Sequence, residues 1–164
     1  MVTSDEFREA MGRWPTGVSI VTSRDGEQIH GMTVSDFSGV SLSPPLVLVC
    51  ASHDSITRGV IAASRCFAVN VLAANQRELS NRFASKKDEH RRFEGVAFGE
   101  GVTGAPLLDD AAAIFDCRLH ATFEAGDHDI YVGAVESVRL RDCEPLVYFG
   151  GSYDRLASHT VSEA

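Results

Sequence analysis

The sequence predicts a mainly β fold, an antiparallel barrel with helices at its periphery. Two observations point to it. Short apolar segments follow one another at turn-length intervals, and few helical patterns stand between them, so the strand–helix alternation of a parallel sheet is absent. The 164 residues are 44% hydrophobic and 23% charged, an ordinary balance that supplies one core and one domain over residues 1–164.

The elements follow in order. Phe7, Ala10, Met11 and Trp14 recur at i, i+3, i+4 and i+7 behind a Ser4-Asp5 start, so a first helix is expected, stopped by Pro15. Four short strands come next: 18–22, 29–34, 40–42 and 46–51, with Asp25-Gly26 turning between the first two and Ser43-Pro44-Pro45 between the last two. A short helix over 55–63, a β-rich segment over 66–72 and a further helix from about Asn75 to Phe83 follow. The remainder, 112–123, 130–140 and 145–149, reads as strand, with Gly126-Asp127 reversing the chain between the first two. Residues 81–92 carry Arg82, Lys86, Lys87, Arg91 and Arg92 and are expected to form a basic loop.

Charge and composition exclude several functions. Fifteen Lys+Arg against 23 Asp+Glu give a net charge of −8, which repels nucleic acid and anionic membrane surfaces. The longest apolar run, Leu46 to Ala51, is far short of the ~20 residues that cross a bilayer. Acidic residues near Met1 replace the basic start of a signal peptide, so the cytoplasm is the expected compartment. Cys50, Cys66, Cys117 and Cys143 contain no C-x-x-C and are expected as structural thiols. The six histidines lack the pairings of zinc sites, and no metal is expected.

Three segments carry candidate chemistry. Gly99 to Gly104 matches G-x-G-x-x-G, with Glu124 further on, but Pro106 and the strand after it leave no room for the helix a dinucleotide fold requires. A mobile Gly-rich loop is the expectation there. Gly31 to Ser38 places hydroxyls at 33, 35 and 38 at a strand end, which composition alone reads as a polar turn. Ser52-His53-Asp54-Ser55-Ile56-Thr57 follows a buried strand and opens a helix, where free N–H groups and the positive end of the dipole suit an anion. An ordinary N-cap by Asp54 or Ser55 accounts for it as well.

A resemblance joins these segments. Trp14 to Thr22 (WPTGVSIVT), GMTVSDFSGVSLSPPLVLVC at 31–50, FAVNVL at 67–72, GDHDIYVG at 126–133 and PLVYFGGSY at 145–153 together resemble the flavin reductase family, the small reductase components of two-component flavin-dependent monooxygenases. The motifs keep the family's order over nearly the whole chain. The resemblance implies a split β-barrel homodimer binding FMN or FAD, with NADH or NADPH as reductant, and a partner monooxygenase served by diffusing reduced flavin. It implies that Thr33, Val34, Ser35 and Asp36 line the isoalloxazine and ribityl chain, that Cys50, Ala51 and Ser52 run along the flavin, and that Ser55 and Thr57 meet its phosphate. Phe83 and Ala84, with a basic residue from 86 to 92, match the segment closing over the cofactor, and His128 and Tyr153 match residues meeting the nicotinamide nucleotide. No side-chain nucleophile is needed, because the hydride transfer is borne by the cofactors.

The chain departs from the family at Ser35-Asp36, where many relatives carry Asn-Ser or Asn-Ala, and at Gly150, where Arg or His is frequent. On the residues alone His128 satisfies a turn and Tyr153 packs the C-terminal segment. Two other readings stay open: a split-barrel flavoprotein that retains FMN and acts directly on a small molecule, and a non-catalytic flavin-binding module.

Overall fold

The computed structural model describes residues 1–87 and 89–156. Its helices are α1 (Ser4–Met11), α2 (Ile56–Ser64) and α3 (Arg77–Ala84). Its strands are β1 (Thr16–Gly17), β2 (Ser19–Asp25), β3 (Gln28–Val34), β4 (Phe37–Leu42), β5 (Pro45–Ser52), β6 (Cys66–Val71), β7 (Phe98–Glu100), β8 (Pro106–Leu108), β9 (Ala113–Ala125), β10 (His128–Leu140), β11 (Val147–Phe149) and β12 (Ser152–Asp154). Seven strands form one sheet in the order β3-β2-β6-β9-β10-β5-β4, every pair antiparallel, and no hydrogen-bonded pairing closes it between β3 and β4. The mainly β expectation therefore holds, with an open seam where a closed barrel would have a ladder. Small ribbons, β1-β11-β12 and β7-β8, flank this sheet.

Burial explains the order. The first five residues of both β2 and β6 are buried without interruption, as central strands covered on both faces must be, whereas β5 alternates buried and half-buried along its length and so has one face inward. The inner face packs Val21, Val49, Ile61, Phe67, Val69 and Tyr131 into the main core. Asn70 is wholly buried in this setting and is tolerated because its amide is used at both ends: Nδ2 donates to the Ile20 carbonyl at 2.9 Å, and Oδ1 accepts from the Leu108 amide at 2.8 Å. It thereby ties β2 and β6 to β8. In β10, an added Cβ at Gly133 would stand 2.5 Å from Phe67 Cζ, so glycine there lets β10 close onto the core ring.

Three expectations change. The apolar side of α1 does not pack on its own chain: Phe7, Met11 and Trp14 are all exposed, and the helix ends at Met11, before Trp14. Gly101 to Ala105 is not a free loop but a tight connection between β7 and β8, held by buried Asp116, which accepts from the Thr103 amide and hydroxyl. The basic segment is a helix end, a turn and a short 3-10 helix (Glu89–Arg91), and Arg92 is a strut inside it.

Arg92 is 5% exposed and donates to the Gly31 carbonyl at 2.8 Å, the Ser85 carbonyl at 2.6 Å and Glu89 Oε1 at 2.8 Å. Beside it Phe83 has no exposed surface, because Leu79 and Phe83 form the inward side of α3; Phe83 packs edge-on to Phe93 and fills the space over Gly31. Phe83 is thus a core residue rather than a lid, while Ala84 is exposed at the helix end. We expect Arg92→Met to lower unfolding free energy by about 3 kcal/mol, because the buried Gly31 carbonyl and two further acceptors, at Ser85 and Glu89, lose their donor. Urea titration checks this; a variant of unchanged stability and weaker flavin affinity would make Arg92 a ligand contact instead.

Candidate functional site

The site is built where β5 ends. β5 pairs with β10 in register from His128↔Ser52 to Ala134↔Leu46, so the last residue of β5 and the first of β10 lie side by side. The following turn is stitched to the same place by the His53 amide, which donates to the Asp127 carbonyl at 3.0 Å. The two segments singled out by sequence, Ser52 to Thr57 and Gly126 to Gly133, therefore meet at one end of the sheet.

From this turn α2 departs with Ser55 as its N-cap residue. The contrast with α1 is informative. In α1 a capping box of Thr3 and Glu6 satisfies the first N–H groups, and Asp5 and Glu6 complement the dipole. In α2 no side chain caps the helix and no acidic residue lies in the first turn; the Ser55 hydroxyl instead donates to the Met32 sulfur at 3.1 Å, a weak acceptor. An uncapped helix start with a loosely held hydroxyl fits the phosphate of a flavin.

Thr57 does not share this position. It has no exposed surface, and its hydroxyl lies 2.7 Å from His30 Nδ1, so it fastens α2 to β3 from beneath rather than facing outward. Burial, and then the Arg92 charge, push the His30 pKa down, which keeps this imidazole neutral.

The remaining predicted residues divide by side. Phe37 pairs with Val49, which brings Asp36 beside Cys50; burial and then the Asp36 charge raise the Cys50 thiol pKa and keep it protonated. Ser35 and Asp36 are exposed and line a cleft of about 830 Å³ together with Trp14, Tyr148 and Phe149. Val34 and Ala51 point into the main core, so only their backbones could meet a ligand. Thr33 donates to the Ser80 carbonyl at 2.7 Å. Ser80 Oγ lies 2.8 Å from the Tyr153 hydroxyl, which in turn donates to Asn81 Oδ1 at 2.8 Å. Thr33, Ser80 and Tyr153 thus form one connected line, with Arg77 over the Tyr153 ring at 5.1 Å. His128 is half-buried, and its Nδ1 lies 2.7 Å from Asp127 Oδ1. A carboxylate can only accept, so Nδ1 carries the proton toward it.

Sequence reasoning did not single out Ser80, His53, Arg58 or Asp129. Buried Asp129 holds the Arg58 Nε at 2.5 Å, with His53 Nε2 3.3 Å from its other oxygen and the Tyr131 hydroxyl 3.4 Å away. The His53 contact is close enough for an ion pair but is not aligned as a hydrogen bond. The Arg58 guanidinium holds the Asp129 carboxyl below the usual carboxylate range. The only signals in the sequence were the position of Asp129 directly after G-D-H and the i, i+3 spacing of Ser55 and Arg58. Among the described residues no His/Cys/Asp/Glu group is arranged to hold a metal, and no helix is long and apolar enough to cross a membrane.

Comparison with known proteins places the chain in a family. Residues 11–157 match the flavin reductase like domain. The chain is 37% identical over 158 residues to the FMN reductase (NADH) RutF of Stutzerimonas stutzeri, covering 96% of this chain and 91% of that protein. It is 39% identical to the reductase component of 4-hydroxyphenylacetate 3-monooxygenase of Thermus thermophilus, covering 93% and 96%. Among solved structures, the NADH:FAD oxidoreductase SgcE6 of Streptomyces globisporus in complex with NAD and FAD fragments superposes with a TM-score of 0.89 at 35% identity, covering 98% of both chains. With a family domain spanning most of its length and relatives matched nearly end to end, this chain belongs to the flavin reductase family.

Proposed function

We propose that this protein is an NADH-dependent flavin reductase that reduces FMN or FAD and releases the reduced flavin to a separate monooxygenase component. The observation that carries the reading is the meeting of an uncapped helix start with His128 across the β5–β10 ladder. One turn offers donors to a phosphate, and an imidazole from a distant segment stands beside it. The names of the relatives support both halves: one is an NADH-dependent FMN reductase and another the reductase component of a monooxygenase.

Bound flavin supplies the redox chemistry, accepting a hydride from the nicotinamide. The chain supplies position. The Ser55 hydroxyl and the first-turn N–H groups of α2 hold the phosphate end, and the backbone from Thr33 to Asp36, exposed at Ser35 and Asp36, borders the ring system. His128, its Nδ1 proton committed to Asp127, offers Nε2 as an acceptor to the nicotinamide carboxamide. Tyr153 acts by bracing, since its hydroxyl is committed to Ser80 and Asn81 and holds the C-terminal ribbon against α3. Orientation of two cofactors is the chain's main contribution to rate.

The exposed apolar residues Phe7, Met11, Trp14, Tyr148 and Phe149 support a homodimer, because they gather around the cleft that Ser35 and Asp36 open onto. A second subunit would cover them and narrow the cleft to a groove.

Purified protein should oxidise NADH only when FMN or FAD is added, and under anaerobic conditions the reduced flavin should pass a filter that retains the protein. Turnover without added flavin, with yellow colour kept through dialysis, would identify a flavoprotein acting directly on its substrate. Ser55→Ala is expected to weaken flavin affinity by about tenfold, the loss of one hydrogen bond to a charged group. His128→Ala should raise the apparent KM for NADH more than it weakens flavin, and the opposite pattern would move His128 to the flavin. Trp14→Glu should convert a dimer to a monomer in light scattering after gel filtration; an unchanged mass would place the interface elsewhere.

A further inference from the structure

Arg58 is the one cation on the first turn of α2, and neither the sequence motifs nor the family comparison assigns it a role. It follows the N-cap Ser55 by three residues, the spacing that puts two side chains on the same side of a helix. Long side chains in helices lean toward the N-terminus, so Arg58 leans toward the turn from which α2 starts. Its head is also fixed from below. Nε donates to Asp129 Oδ2 at 2.5 Å, and Asp129 pairs with Ala51 in the β5–β10 ladder, one residue from Ser52. The guanidinium is thus anchored beside the Ser52–Ser55 turn.

Two further facts set its chemistry. Asp129 is 5% exposed and the Arg58 side chain is 39% exposed, so a buried carboxylate holds a partly open guanidinium. Only Nε is used: Nη1 and Nη2 make no hydrogen bond among the described residues, leaving four N–H donors at the open side. The Tyr131 hydroxyl donates to the Arg58 carbonyl at 3.2 Å, which fixes the backbone below the same side chain. A planar fork with one edge anchored and its donors free is prepared for a phosphate.

We propose that Arg58, oriented by Asp129, faces the terminal phosphate of FMN and makes this chain select phosphorylated flavin over riboflavin. The proposal rests on the reading that the phosphate lies at the start of α2. Asp129 keeps the fork from swinging away, and its own charge is balanced by the arginine it holds, so the donors on Nη meet a phosphate that is close to dianionic at neutral pH.

The test compares FMN with riboflavin, which share the ring and ribityl chain and differ in the phosphate, by quenching of flavin fluorescence. Arg58→Gln is expected to reduce the preference for FMN over riboflavin about tenfold, the equivalent of one charge-assisted contact, with riboflavin affinity unchanged. Ser55→Ala is measured alongside. If Ser55→Ala lowers the preference and Arg58→Gln leaves it intact, the phosphate is at the turn and Arg58 does not face it. If neither changes it, the phosphate lies elsewhere and the underlying reading falls with the proposal. If Arg58→Gln weakens both flavins equally and lowers Tm, Arg58 only supports the fold. Should Arg58→Gln fail to fold, Arg58→Lys serves: one ammonium cannot serve carboxylate and phosphate as the fork does, so the preference drops several-fold, and an unchanged preference overturns the proposal.

Discussion

The site depends on one ladder, the antiparallel pairing of β5 with β10. It sets Ser52 against His128 and Ala51 against Asp129, and because side chains alternate along a strand, His128 and Asp129 leave β10 on opposite sides. A slip of one residue would exchange them, burying the imidazole and exposing the carboxylate. The register is held from inside by Val47, Val49 and Tyr131, which must face the core, and by Gly133, whose missing side chain admits Phe67.

α2 is fastened to this ladder from two directions. On the β3 side, neutral His30 meets Thr57 and Met32 meets Ser55; on the β10 side, Asp129 meets Arg58. These contacts involve only the first turn of the helix. Such a start is rigid although it lacks a cap, and a rigid set of unspent donors costs little to reorganise around an anion. α1 presents the opposite design, with satisfied N–H groups and an apolar side left open.

Much of the fold was legible because its signals are local. The long strands, the Asp25-Gly26 and Gly126-Asp127 turns, with both glycines at positive φ, and the starts of α2 and α3 all follow from apolar spacing and turn chemistry. The strand order and the two- and three-residue strands β1, β7, β8 and β12 were not, since so short a segment carries no period and pairs only where tertiary contacts place it. The site shows the same division. Ser52, Ser55 and His128 could be named from their motifs, but helix phase decided that Thr57 and Phe83 face inward, and no local pattern reveals that phase when hydroxyl and aromatic residues sit at a helix end. Arg92 was legible as a basic residue and not as a strut, because its three acceptors, at Gly31, Ser85 and Glu89, are brought together only by folding. The joined line from Thr33 through Ser80 to Tyr153 is likewise a product of packing α3 on β3.

On the reading proposed here, the phosphate end of the flavin lies at the start of α2, beside His128. A crystal structure of the protein soaked with FMN tests it most directly. Phosphate oxygens are expected within hydrogen-bonding distance of Ser55 Oγ and the first-turn amides of α2, with the ring system running toward Thr33 to Asp36. A phosphate bound instead among Arg82, Lys87 and Arg91, where a second, smaller cleft of about 380 Å³ lies, would contradict it.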